Sequence, residues 1–356
     1  MTNAFPPSGP CGPGRRAVLA ALAGLPFARQ AGAMPSAITL PQSSSTLLIG
    51  GPDGGILDNW GRIMEPPLAQ GLREPAIKRA SVGGIDGVTA ANQFTARGEP
   101  DGQTALMTPG EAILAWAIGD PRAKYDVGRW TAVMSCMTPG AVIFRPGTVA
   151  SRKPVRVASA GFATADLTAL LGLELLGSVA VPVPVARPAD LLPVFAQRAV
   201  DAVLVRGHNV GDQARPFIQA GGEPLFSLGR HDGSGRMARC EFFSEVPTLA
   251  EAYATMAGPM PPSPLAEAWV TCAVASQLEF MMVLPHLTPA AQVALWRQAS
   301  VETVASQDMQ TMAQAFGVRP VAGADAAART RGAAAHQNAL TALRQWLAGR
   351  FNWRPT

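Results

Sequence analysis

Leu47-Leu48-Ile49-Gly50-Gly51-Pro52-Asp53-Gly54-Gly55-Ile56-Leu57-Asp58 is a short apolar run, a loop with paired glycines and the start of a helical pattern. The order repeats at once. An apolar segment leads to Gly83-Gly84-Ile85-Asp86-Gly87, and a second helical run closes at Pro100-Asp101-Gly102-Gln103-Thr104-Ala105-Leu106. Glycine admits positive φ and carries no side chain to shield neighbouring amide N–H groups. Free amides at a helix start, backed by the positive end of the helix dipole, suit a carboxylate or another anion. Two such loops in tandem are expected to form one half of a ligand cleft.

Working outward, the pattern predicts strands at Leu47–Ile49, Ala76–Ala80 and Thr104–Met107, each followed by a helix. Trp60, Ile63 and Met64 follow the first loop at helical spacing, with Asp58 in the first turn where a carboxylate suits the dipole. Pro66-Pro67 is expected to kink or divide that helix. Strand–helix alternation implies a mainly parallel sheet covered on both faces. The apolar strand Thr131–Met137, followed by Ala141–Phe144, is placed to carry the chain into a second lobe.

There the pattern restarts. Val155–Ala158 is a strand, Ser159-Ala160-Gly161 a turn, and Thr164-Ala165-Asp166 the cap of a helix bearing Leu167, Leu170, Leu171 and Leu175. Val179–Val185 carries prolines and is predicted as an edge or terminating strand. Val200–Val205 is a buried strand, and Pro224–Leu228 is expected to return the chain. From Val246 onward the reading is mostly helical.

The first 33 residues have the form of an export signal. Arg15-Arg16 opens a modestly apolar run to Leu25, and Ala31-Gly32-Ala33 fits a small-x-small cleavage site. The arginine pair favours the twin-arginine route. Removing this segment, with three arginines and no acid, lowers the formal charge from +4 to +1, so the basic pI gives no reason to expect a nucleic-acid partner. No later stretch holds 18 uninterrupted apolar residues. Cys136, Cys240 and Cys272 have no C-x-x-C spacing, so neither a metal site nor a disulfide framework is indicated. The alternatives left are one bridge, Cys136 with Cys240, or three buried thiols.

Taken in order, these motifs resemble those of the periplasmic receptors of tripartite tricarboxylate transporters, the TctC/Bug-type receptors. Gly54-Gly55-x-x-Asp58 with Arg62 resembles their first loop, and Gly83-Gly84-x-x-Gly87 with Pro100-Asp101-Gly102-x-Thr104 their second loop and third strand. Tyr125-Asp126 before Trp130, Val157-Ala158-Ser159-Ala160-Gly161-x-x-Thr164, Val200-Asp201-Ala202-Val203 and Glu245-Val246-Pro247-Thr248-Leu249 follow in the family order. The resemblance implies an α/β type-II periplasmic-binding-protein fold, with two hinged lobes and a cleft between them. On that reading 1–33 is the signal, 34–45 a lead-in, 46–140 with 230–356 the first lobe, and 141–229 the second. It further implies a periplasmic, monomeric receptor without cofactor or metal, passing a small carboxylate to membrane permease subunits. A role in presenting ligand to a sensor is the alternative.

The chain departs from the family where ligand chemistry is set. Ile56-Leu57 stand where Gly-Thr is common, Leu167 where histidine is frequent, and Val185 where tyrosine is frequent. Gly54, Gly55, Gly83 and Gly84 are the candidate amide donors. Asp58 is read as a loop brace or a contact, and Thr164 as a helix cap, a contact or both. Arg187 and Arg206 end strands and would take a carboxylate bidentately if they face the cleft. Asp86 and Asp166 would suit an ammonium, hence an amino-acid-like or other zwitterionic ligand. An exported hydrolase is the rival class, but G-x-S-x-G, H-E-x-x-H and P-loop motifs are absent from the sequence, and no enzyme activity is expected.

Overall fold

The computed structural model describes residues 44–148, 153–234 and 236–354. The expected export signal, and the lead-in as far as residue 43, lie outside them. In chain order the first lobe opens with β1 (Thr46–Gly50), α1 (Ile56–Leu72), β2 (Lys78–Val82), α2 (Val88–Arg97), β3 (Thr104–Thr108), α3 (Gly110–Ile118) and β4 (Trp130–Met137). Thr138-Pro139 leads into the second sheet. That part contains β5 (Gly140–Phe144), β6 (Val155–Ser159), α4 (Asp166–Leu175), β7 (Ala180–Pro184), α5 (Leu191–Ala196), β8 (Ala202–Arg206), α6 (Val210–Gln219) and β9 (Glu223–Ser227). A small hairpin, β10 (Arg230–His231) with β11 (Met237–Ala238), then precedes α7 (Leu249–Ala257) and α8 (Pro264–Ser276). The chain finishes with β12 (Leu278–Pro285), α9 (Ala290–Ala305), α10 (Gln307–Phe316), β13 (Arg319–Ala322), α11 (Gly323–Thr330) and α12 (Gln337–Phe351).

The strand order is β13-β4-β12-β3-β1-β2 in the first sheet and β7-β6-β8-β5-β9 in the second. β1 runs parallel to β2 and β3, whereas β12 runs antiparallel to β3 and β4. In the second sheet β6 is parallel to β7 and β8, and β5 is antiparallel to β8 and β9. Both sheets are therefore mixed rather than mainly parallel. The proline-bearing β7 is an edge strand, where its missing donors cost no ladder bond.

Two expectations about the path of the chain are corrected. Residues 224–228 do not return it: β9 stays at the edge of the second sheet, and β12 is the strand that enters the middle of the first. Leu278–Pro285 is almost continuously buried, and a run without alternation cannot be told from a core helix by its period. Of the kink or division expected at Pro66-Pro67, division does not occur: α1 runs unbroken from Ile56 to Leu72. Pro66 is exposed and Pro67 half-buried, so the carbonyls they leave unpartnered face the solvent side. The inward stripe of Trp60, Met64, Leu68 and Leu72 stays buried throughout.

That stripe packs with Phe280, Met282 and Trp296 into one core beneath the first sheet. A second core runs across both lobes, joining Leu170 and Leu173 of α4 to Trp269 and Ala273 of α8. Trp269 Nε1 donates to the Thr168 carbonyl at 3.1 Å, and the Thr168 and Ser276 hydroxyls are 2.7 Å apart. Cys136, Cys240 and Cys272 are all buried free thiols, so the Cys136–Cys240 bridge is not formed.

Candidate ligand-binding site

β1 and β2 are parallel neighbours, so their C-terminal loops lie side by side; a Cβ on Gly50 would stand 3.1 Å from the Gly87 Cα. In the first loop Asp58 is almost wholly buried. Its carboxylate accepts from Gly54 N at 3.1 Å, Arg62 at 2.7 Å, Arg79 at 3.0 Å and Ser81 Oγ at 3.0 Å. Burial pushes its pKa up, but the bonds from Arg62, Gly54 and Ser81 and the Arg79 charge outweigh it, and the pKa is lowered. Asp58 thus braces the loop against β2. Leu57 turns inward onto the core, while Ile56 is exposed on the rim.

In the second loop Asp86 meets a cation. Its Oδ2 lies 2.8 Å from Arg122 Nη1, and its Oδ1 accepts from Val88 N at 3.3 Å. Arg122 also grips Asp120 at 2.7 Å. Asp86 is therefore paired within the protein, on a guanidinium it shares with Asp120. Ile85 projects beside it, 83% exposed.

Gly54 has nothing within 4 Å of a built Cβ, and Gly84 only Asp86 Oδ1 at 3.8 Å, so both face open space. Gly55 and Gly83 are different. A Cβ at Gly55 would meet the Pro52 carbonyl at 2.9 Å, and one at Gly83 would meet Thr89 Cβ at 2.6 Å. Those two glycines allow the chain to turn. Among the described residues no acceptor meets the N–H groups of Ile56, Leu57, Gly84 or Ile85.

The second lobe presents the turn after β6. Gly161 takes φ 148° and also has nothing within 4 Å of a built Cβ. The Thr164 hydroxyl does not cap α4 as its position suggested: it bonds the Gly161 carbonyl at 2.7 Å and lies 3.2 Å from Asp166. Asp166 folds back onto Ala160 N at 2.8 Å. Burial raises its pKa, against the pull of Ala160 N, Thr164 and the Arg206 charge. Both side chains thus shape the turn, and the Phe162 and Ala163 N–H groups are left without an acceptor among the described residues. Leu167 and Val185, at the two divergent positions, are buried.

The two candidate arginines differ. Arg187 is exposed and bonds Asp190 one turn on at 2.8 Å. Arg206 points across to the first lobe, donating to Glu111 at 2.6 Å and to the Ser276 carbonyl at 2.9 Å. Nearby, His208 Nε2 lies 3.3 Å from Glu279 Oε1 and its ring stacks on Phe316 at 4.3 Å. The C-terminal end of β8 is thereby held against the starts of α3 and β12.

Several groups at the site carried no sequence signal. Arg79, Arg122 and Glu111 matter through partners distant in the chain. Phe162 packs on Phe351 and Trp353, at 5.0 and 5.7 Å between ring centroids, and Trp353 Nε1 lies 3.4 Å from the Ile118 carbonyl. The C-terminal tail therefore forms one flank of the second-lobe turn.

Two mixed sheets joined at Thr138-Pro139, with glycine loops after β1, β2 and β6, define a two-lobed solute-binding-protein fold. Among solved structures a TctC solute-binding protein from Polaromonas, without ligand, is 18% identical over 88% of this chain and 99% of its own, with a TM-score of 0.63. That likeness shows the shared fold. MatC from Rhodopseudomonas palustris, with bound malate, is 19% identical over 86% and 99%, TM-score 0.48. A second R. palustris protein, with adipate, is 16% identical over 88% and 97%, TM-score 0.49. No protein-family model and no curated protein matches the chain.

Proposed function

We propose that the protein is an exported, periplasmic TctC/Bug-type receptor that captures a small carboxylate between its lobes and delivers it to a membrane permease without chemical change. The observation that carries this reading is the set of backbone N–H groups without an acceptor among the described residues, at Ile56, Leu57, Gly84 and Ile85 in the first lobe and at Phe162 and Ala163 in the second. Such donors, at the start of α1 and two to three residues ahead of the N-caps of α2 and α4, favour a negative group without supplying a reactive one. Ligand touching both lobes would favour the closed form through contacts that the open form lacks.

The charges refine the ligand. Arg122 and Arg206 already hold internal carboxylates, leaving a carboxylate ligand to the backbone. Asp86 is engaged by Arg122 and Asp166 by its own turn, which weakens the case for a ligand ammonium. Ile56 and Ile85 add apolar rim surface. An acid with one carboxylate and an apolar body fits this set better than a tricarboxylate.

A thermal-shift screen of mono-, di- and tricarboxylates, amino acids and aromatic acids tests the reading, since a ligand stabilises the fold by mass action. Saturable stabilisation by a carboxylate, with the compound recovered unchanged, is expected. Turnover of an ester or amide panel without carboxylate binding would overturn it.

A further inference from the structure

The two connections between the sheets enclose a separate cavity. Pro139 on the outward crossing and Arg230 on the return line a space of 40 Å³ with Glu241, Phe242, Arg319 and Arg329. It lies at the β13–β4 edge of the first sheet, where Arg319 pairs in register with Met137. β12 and β3 separate that edge from β1 and its glycine loop.

Charge at this place is unbalanced. Three guanidinium groups line the space with one carboxylate, which pairs with two of them: Glu241 Oε1 is 3.7 Å from Arg230 Nε, and its other oxygen bonds Arg319. Among the described residues Arg329 has no carboxylate within 4 Å and no hydrogen-bond acceptor. Arg230 Nε is buried and, with Glu241 at ion-pair range only, has no hydrogen-bond acceptor among the described residues. Burial, then the like charges of Arg230 and Arg319, pull the Arg329 pKa down, against the weaker opposing charge of Asp325. A buried donor without an acceptor is costly to leave so. The space holds about one to three waters, so a compact oxyanion would fill it and extend to the solvent side, where Arg230 and Arg319 are 38% and 46% exposed.

We propose that this cavity is a second anion site, binding a small oxyanion such as inorganic phosphate on Arg230, Arg319 and Arg329. Arg319 and Arg329 belong to β13 and α11 of the first lobe, whereas Arg230 sits on the return hairpin. The anion therefore fastens the return hairpin to the first sheet at the root of the lobes, satisfying Arg230 Nε and compensating Arg329. Glu241 sets the limit on charge, since a second carboxylate-bearing group there would meet it. The site uses no group of the glycine-loop cleft.

Titration calorimetry with inorganic phosphate, at ionic strength held constant with chloride, tests the proposal on the wild-type chain and on Arg329→Gln, Arg230→Gln and Gly84→Val. One phosphate is expected per wild-type chain, with binding about tenfold weaker or worse in the two arginine variants, the scale of one charge-assisted bond. Gly84→Val should bind phosphate as the wild type does. Arg329→Gln without phosphate should melt no lower than the wild type, because it removes a charge without a partner. Should that variant fail to fold, Arg230→Gln decides alone. Absence of phosphate binding by the wild type, undiminished binding in both arginine variants, or loss of binding in Gly84→Val would overturn the site.

Discussion

Arg206 Nη2 lies 2.6 Å from Glu111 Oε1, joining the end of β8 in the second lobe to the first turn of α3 in the first. Both side chains are about three-quarters buried, so the pair is held in a setting less screened than the surface. The guanidinium that the sequence offered for a ligand carboxylate already holds an internal one. Arg206→Ala would leave Glu111 without its cation and the Ser276 carbonyl without its donor. A loss of about 1–3 kcal/mol in urea unfolding is expected.

Glu111→Gln acts on the same pair from the other side. It frees one face of Arg206 at the cleft and removes the internal anion. Binding of a dicarboxylate should strengthen by about tenfold relative to a monocarboxylate of the same length, the scale of one charge-assisted pair. Calorimetry on the two acids, with wild type and variant, checks the ratio. An unchanged ratio would place the ligand away from Arg206.

Gly84→Val is the clean probe of the glycine-loop site. Gly84 does not need positive φ, and a Cβ there meets nothing closer than 3.8 Å. The variant should fold with an unaltered melting temperature and lose carboxylate binding by a hundredfold or more, about 2.7 kcal/mol. Gly55 is a poorer choice, because its Cβ would collide with the Pro52 carbonyl. Retained affinity in Gly84→Val would move the ligand elsewhere.

Asp58 and Asp166 should respond to acid in opposite senses. The Asp58 pKa is lowered by folding, so its contribution is present above the ordinary value of 3.8 and is lost as pH falls through the folded value. Asp58→Asn should cost about 2–3 kcal/mol at neutral pH and flatten that acid limb. The Asp166 pKa is raised, so the folded state binds the extra proton and stability falls as pH rises from 3.8 through the folded value. Asp166→Asn should be at least as stable as the wild type at neutral pH. Urea titrations between pH 3 and pH 7 distinguish the two.

The thiols give a fifth check. Cys136, Cys240 and Cys272 are buried, and burial raises all three pKa values, that of Cys272 to about 12. Alkylation followed by peptide mapping should find them unmodified in the native protein. All three should be modified in denaturant without reductant. A Cys136–Cys240 crosslink in the unreduced peptide map would contradict the structure.

The amino-acid order alone determined the alternation of strands and helices around the two glycine loops, the restart at Val155, and the edge position of the proline-bearing β7. These are local: each depends on residues a few positions apart, whose spacing reports the face that must be buried. Tertiary structure alone decided that β12 returns to the centre of the first sheet, because a run buried on both faces has no period to read. It also decided what the charged candidates do. Asp58, Asp86 and Arg206 found Arg79, Arg122 and Glu111, partners 21 to 95 positions away. Whether a charge waits for a ligand or is already satisfied depends on which distant element packs beside it, and no local pattern carries that.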